Sequence, residues 1–342
     1  MIQNPTPNLK YRLMAGFSLM ELLVSMTLLL LVVGLSAGIL SATQDVWKRV
    51  SAQTEQQRGA RQSLDTVARR IAQAVLNPYW SVVYDANSGQ PRRFERASEL
   101  RFLVAPASTI VSTAAEAGTA IFFQSPTGYF SDGSGELGSA LNTWGYFIEY
   151  GSDKSYRPDF LDNTGVGERY RFRLIEFLDP SDNLEVFRRT SGVPDYIGKE
   201  WFSTPLAGLQ RKRILADNVV AFVVLPRLSS LEDPTGVAMA SNYTYDSTQR
   251  IADKRRNPRN QLPPVVEVAA VMLDSRSLAK INWGSSPPDL GIAMNTLFKD
   301  SAKLDADLEA LRLALSKKNL EARIFRQTIP IPSARWSTEQ KD

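Results

Sequence analysis

From Phe17 to Leu40 the chain reads FSLMELLVSMTLLLLVVGLSAGIL, 24 residues in which Glu21 is the one ionisable side chain. At ~1.5 Å per residue such a helix reaches about 36 Å, enough to cross a hydrocarbon core of about 30 Å. Lys10 and Arg12 precede it without any acid, and Asp45 follows it. The positive-inside rule then predicts a cytoplasmic N-terminus and export of everything after about residue 41. A cleaved secretory signal has a shorter apolar run, ~7–15 residues, with its small-residue site behind it. Here the plausible small-residue site, Ala15-Gly16, stands in front of the run. A plain anchor fits the length but not Glu21, since a carboxylate at the centre of a span costs ~2.5–3.5 kcal/mol, and less toward the interface. An acid so close to the start of the run predicts a positive partner at its own depth.

Composition removes much of ordinary enzymology. The 342 residues include no Cys and no His. That excludes disulfides, thiolate metal sites, cysteine nucleophiles, Ser-His-Asp and Cys-His triads, and the usual imidazole-based zinc sites. With 43% apolar residues the chain can build a real core, and its net charge of +4 is too small to mark a polyanion-binding protein.

Beyond Leu40 the pattern turns amphipathic. Val46, Val50, Ala60, Leu64, Val67, Ile71 and Val75 recur largely at three- and four-residue steps, with arginines between them, until Asn77-Pro78. The spacing predicts a helix over 17–76 with an all-apolar first half and a one-sided second half. Short β-rich runs follow at 99–104, 120–124, 144–150, 170–177 and 184–189. In Tyr170–Leu174 the alternation places Tyr170, Phe172 and Leu174 inward and Arg171 and Arg173 in water. Val219–Leu225 reads as a strand covered on both faces, with the amphipathic helix a candidate cover, and Val265–Leu273 as a further strand with Val266, Val268, Ala270 and Met272 on its apolar face. Leu304, Leu308, Leu311 and Leu315 predict a helix near the C-terminus, and 323–331 a last strand. Three loops are expected, over 126–143, 151–167 and 226–263, the last carrying Arg250, Lys254, Arg255, Arg256 and Arg259. The fold class expected is α+β: a long N-terminal transmembrane and amphipathic helix packed on an antiparallel β-sheet head, with an additional C-terminal helix.

Gly16-Phe17-Ser18-Leu19-Met20-Glu21, followed by an apolar helix, resembles the N-terminal signature of type IV pilins and type II secretion pseudopilins, with Ser18 for the commoner Thr and Met20 for the commoner Leu, Ile or Val. The resemblance implies a pilin-like fold, cleavage after Gly16 by a prepilin peptidase, and methylation of the new Phe17 amine. It divides the chain into a leader 1–16, a transmembrane helix 17–40, its amphipathic continuation 41–76 and a periplasmic head 77–342. In a filament the Glu21 carboxylate would neutralise the Phe17 ammonium of a neighbouring subunit, offsetting two burial penalties at once. Gly34 and Gly38 form a small-xxx-small pair suited to close helix packing. More widely the chain resembles large minor J-type pseudopilins, through the 184–190 run ending in Arg-Arg-Thr and Pro-Val-Val-Glu-Val at 264–268. It also resembles the Verru_Chthon cassette protein C family, through Leu76-Asn77-Pro78-Tyr79-Trp80, 98–102 and Ser333-Ala334-Arg335-Trp336. The partners implied are sister pilin-like subunits, the prepilin peptidase, an inner-membrane assembly platform with its ATPase, and membrane lipid.

That reading expects no catalytic residue, no metal ligand and no cofactor, leaving calcium in the head as a minor alternative. Asp153, Asp159 and Asp162 share one loop and Asp179, Asp182 and Glu185 another, but neither shows calcium-loop spacing, and Asp-Pro-Ser-Asp-Asn is turn chemistry. The 250–259 basic run lacks interleaved aromatics, so nucleic acid is not expected as a partner. Two alternatives stand beside the assembly subunit: a membrane-anchored binding module for protein, polysaccharide or DNA, and an exported hydrolase working with two carboxylates.

Overall fold

The computed structural model describes residues 18–116, 118–133, 138–187, 200–236 and 239–337. The chain divides into two compact units, Met1–Thr54 and Glu55–Asp342. Among its described residues the first is helical. Helix α1 (Leu19–Ala72) begins in it, and its stretch Leu19–Lys48 has a mean hydropathy of 2.5 with nothing of that window buried. It is long and apolar enough to cross a membrane. Hydroxyls on this stretch are returned to the helix itself: Thr27 Oγ1 donates to Val24 O and Thr43 Oγ1 to Ile39 O, both at 2.8 Å. A helix immersed in hydrocarbon needs such internal satisfaction.

The second unit is the α+β head. Within it α1 buries the stripe Ala60, Leu64, Val67, Ala68 and Ile71, and Ser63 Oγ donates to Leu215 O at 2.9 Å. The helix ends at Ala72, four residues before the expected stop at Leu76. The reason is tertiary: Val75 N donates to Gln124 O at 2.9 Å instead of continuing the helical ladder, and Asn77 takes φ +45° ahead of Pro78.

The elements that follow are β1 (Tyr79–Tyr84), β2 (Pro91–Ala97), β3 (Phe102–Pro106), α2 (Ala107–Ile110), β4 (Thr119–Pro126), β5 (Leu141–Ser152), β6 (Tyr170–Asp179), α3 (Glu200–Leu206), β7 (Lys212–Asp217), β8 (Val219–Arg227), β9 (Tyr245–Asp246), β10 (Val265–Leu273), α4 (Ser275–Leu278), α5 (Leu304–Lys317) and β11 (Ala322–Pro330). They form an antiparallel hairpin β1-β2, a six-stranded antiparallel sheet in the order β7-β6-β5-β4-β3-β9, and a three-stranded antiparallel sheet β11-β10-β8. β8 joins the two larger sheets. Gly118, at φ +113°, makes a parallel bridge to Phe222 of β8, and Val224 N donates to Thr119 Oγ1 at 2.7 Å. A Cβ on Gly118 would stand 2.0 Å from Phe222 O, so only glycine fits this crossing. Gly145 of β5 faces Phe122 on one side and Phe177 on the other, leaving room for the Phe122 ring to stack on Phe202 at 4.0 Å between centroids.

Several expectations stand as read. Val219 to Leu225 are all buried, in one core cluster with the α1 stripe, and Leu304, Leu308, Leu311 and Leu315 are the buried positions of α5. Others are corrected. Residues 184–187 are not a strand: Glu185–Phe187 is a 3₁₀ turn whose Glu185 N donates to Asp179 Oδ2 at 3.3 Å. β6 already has β5 and β7 on its two edges, so no edge was left for that run. Residues 188–190, with the Arg-Arg-Thr, lie outside the described residues. Arg173 does not face water. It is 4% exposed, because Gly151 O, Arg169 O and Asp217 together accept from its guanidinium. β10 is covered on both faces rather than one, from Val266 to Leu273. The 226–263 segment is not a bare loop either, since Tyr243 and Tyr245 are fully buried in it and β9 pairs with β3.

The C-terminal tail returns to the end of α1. Ser333 Oγ donates to Ala74 O, Ile331 N to Pro264 O at 3.0 Å, and Ser337 N to Gln261 Oε1 at 2.8 Å.

Candidate functional site

Gly16 and Phe17 lie outside the described residues, and the geometry begins with Ser18. Ser18 caps α1. Its Oγ accepts from Glu21 N at 3.2 Å, and its carbonyl accepts from Glu21 N at 3.0 Å and Leu22 N at 3.1 Å. Ser18-x-x-Glu21 therefore has the spacing of a capping box, with Glu21 at the third helical position. The positive end of the helix dipole makes that turn a favourable place for a carboxylate. This gives Glu21 a local role that the sequence reading did not assign. The dipole holds only part of a unit charge and leaves the carboxylate exposed on an apolar helix.

Gly34 and Gly38 are exposed on the same helix, and a Cβ at either would meet nothing within 4 Å. They adjoin each other but not Glu21. At 3.6 residues per turn, Gly34 lies about 140° and Gly38 about 100° around the axis from Glu21. The acid and the glycine pair would therefore address different neighbours. Among the described residues no base faces Glu21.

Several acids of the head have protein partners, whereas Asp159 is exposed. Glu176 is held between Arg213 and the Tyr146 hydroxyl, which donates to its Oε2 at 3.0 Å. Asp179 is fully buried beside Arg211, and burial outweighs that arginine, lifting its carboxyl to about 6. Asp182 caps the 131 turn, where hydrogen bonds from the Ser131 hydroxyl and backbone N–H hold it below the usual carboxylate range. Asp153 Oδ1 accepts from Arg169 N at 2.9 Å, and nothing is described of the Asp162 side chain. Among the described residues no group of three or more acids is placed to hold a metal ion. The basic run is partly neutralised. Arg256 Nε donates to Asp253 Oδ2 at 2.8 Å, and Arg259 lies 3.7 Å from Glu95.

Two features escaped the sequence reading. The β1-β2 hairpin leaves Trp80 64% and Phe94 60% exposed on one face, where Trp80 pairs across with Arg96 and Val82 with Phe94. Period-2 spacing in YWSVVY was the available signal. The second is a hollow of about 510 Å³ lined by Arg157, Arg169, Arg171 and Arg173. Its signal was the arginine at every other position from 169 to 173, which puts three guanidiniums on one side of an extended chain. The chain matches no known protein-family profile and no curated protein sequence.

Proposed function

We propose that this protein is a minor pilin-like or pseudopilin-like assembly subunit, without enzymatic activity of its own. Its helix inserts in the inner membrane with the N-terminus cytoplasmic and the head periplasmic. It then enters or caps a filament of the type IV pilus or type II secretion kind. The observation that carries the reading is Glu21, exposed in the first turn of α1, whose apolar stretch Leu19–Lys48 has nothing of its window buried. Removal of residues 1–16 would create an α-amino group at Phe17, and the Glu21 of an adjoining copy or sister subunit is its natural counter-charge. A head of this size crowds a helical lattice, which favours a minor or tip position over a repeating shaft position.

Intact-mass measurement of the membrane form from its native host tests this. The expected mass is that of a chain starting at Phe17 and carrying one additional methyl group. A chain still beginning at Met1 would refute the processing on which assembly depends. A second reading, an anchored binding module, is favoured by the exposed Trp80 and Phe94 of the hairpin. It expects ligand binding to survive both an intact leader and loss of Glu21.

A further inference from the structure

The strand β6 and the segment before it gather four arginines around one hollow, with Asp153 and Asp217 the acids among its described lining residues. Arg173 is the buried member. Its Nη1 donates to Gly151 O and its Nη2 to Arg169 O, both at 2.7 Å, and its Nε to Asp217 Oδ1 at 3.2 Å. Three of five N–H groups are thus placed, while Asp217, its carboxylate partner among the described residues, is itself 56% exposed. Arg171 lies on the Trp283 ring, 4.2 Å from its centroid, with Nη1 donating to Tyr170 O at 2.8 Å. These two contacts hold the guanidinium, and its Nε and Nη2 have no hydrogen-bond partner among the described residues. Burial, with the Arg173 charge beside it, holds Arg171 below the usual guanidinium range. Arg157 is anchored through Nη1 to Val166 O at 3.0 Å, whereas the Arg169 guanidinium has no partner among the described residues.

Guanidiniums crowded at a partly dry surface repel one another unless an anion is shared between them. Arg169, Arg171 and Arg173 crowd in this way from alternate positions of one stretch, with Asp153 and Asp217 the acids of the described lining. We propose that this hollow binds a phosphate dianion, either free or as the monoester of a small organic molecule. Arginine forks match phosphate oxygens in pairs, and a shared anion offsets the repulsion among the guanidiniums. The volume exceeds what one phosphate fills, and the apolar wall of Ile214 and Leu278 offers a surface for the group an ester would carry. The site does not depend on the assembly reading, since it lies wholly in the head.

The test is calorimetric titration of the full chain in detergent micelles with inorganic phosphate and, separately, glycerol 3-phosphate. Wild type is compared with Arg169→Gln, Arg171→Gln and the surface control Arg312→Gln. Saturable binding is expected, weakened by about tenfold or more in Arg169→Gln and Arg171→Gln and unchanged in Arg312→Gln. Equal affinity for both probes identifies the free anion as ligand; tighter binding of glycerol 3-phosphate identifies a monoester. Arg169→Gln should unfold at the wild-type temperature without phosphate, because its side chain makes no structural contact among the described residues. Absence of saturable heat with both probes up to roughly 10 mM, or wild-type affinity in Arg169→Gln and Arg171→Gln, would overturn the proposal.

Discussion

Gly118→Ala should be among the most damaging single-methyl changes in the head. The added Cβ would lie 2.0 Å from Phe222 O and 2.9 Å from Phe222 C, both backbone atoms of a fully buried strand. An ordinary contact requires one segment to retreat by more than about 1 Å. That displacement pulls Thr119 Oγ1 away from Val224 N, a buried bond of 2.7 Å. The backbone at φ +113° adds its own strain for an L-residue, ~1–3 kcal/mol. A buried donor left without its acceptor costs about 1–3 kcal/mol. Together these give a loss of about 2–6 kcal/mol, or roughly 3–10 °C in Tm for a unit of this size. Thermal unfolding of the full chain in detergent, followed by near-ultraviolet circular dichroism of the aromatic core, measures it. Gly89→Ala is the matched control. Gly89 also has positive φ, +65°, in the turn where Asp85 Oδ1 accepts from Asn87 N and Ser88 N, but its Cβ would meet nothing within 4 Å. It should lose only about 1 kcal/mol. Equal losses in the two variants would refute the claim that the β4–β8 crossing, rather than backbone conformation alone, demands glycine.

Three further outcomes are expected. Glu21→Ala should leave membrane insertion intact, as judged by carbonate extraction, yet reduce co-purification with sister subunits; Ser18→Ala removes only the cap, ~1 kcal/mol of helix stability, and should assemble normally. If both variants assemble alike, capping is the whole role of Glu21. Asp179, at about 6 in the folded head against 3.8 when free, binds its proton more tightly folded than unfolded. Its stabilising contribution is therefore fully present below pH 4 and is lost as pH rises through about 6. The full effect is about 3 kcal/mol, and denaturant midpoints should show Asp179→Asn flattening the slope between those pH values. An identical slope in the variant would contradict the burial of that carboxyl. Gly145→Ala, whose Cβ would stand 2.3 Å from Phe122 Cε1, should dislodge that ring from Phe202 and cost about 1–3 kcal/mol by the same unfolding assay.

What the sequence disclosed depended on how far each pattern was decided locally. The continuous apolar run Val219–Leu225 and the leucine spacing of α5 could only be buried, and they are. The alternation at Tyr170–Leu174 was visible, but not its environment. A strand flanked on both edges and packed near the 151–169 turn gives Arg173 three oxygen acceptors, and those come from Gly151, Arg169 and Asp217, which no local reading could bring together. The helix end was set by Gln124, some fifty residues away, rather than by Pro78 alone. β7, with KRILAD, has too few apolar residues to announce itself and forms because β6 offers an unpaired edge. At the helix start, Ser18-x-x-Glu21 was legible as a capping box from spacing alone, but the unusual setting of the acid drew the reading toward a partner outside the chain.

The hydrogen bond from Ser333 to Ala74 fastens the last segment of the head to the residues that follow its first helix. Traction applied through residues 60–72 would reach the carboxyl-terminal segment through Ala74, alongside the sheet held by Ser63 and Val75. The clasp shares that load, so a head cut after Ile331 should rupture at lower force in single-molecule pulling while keeping the same sheet order.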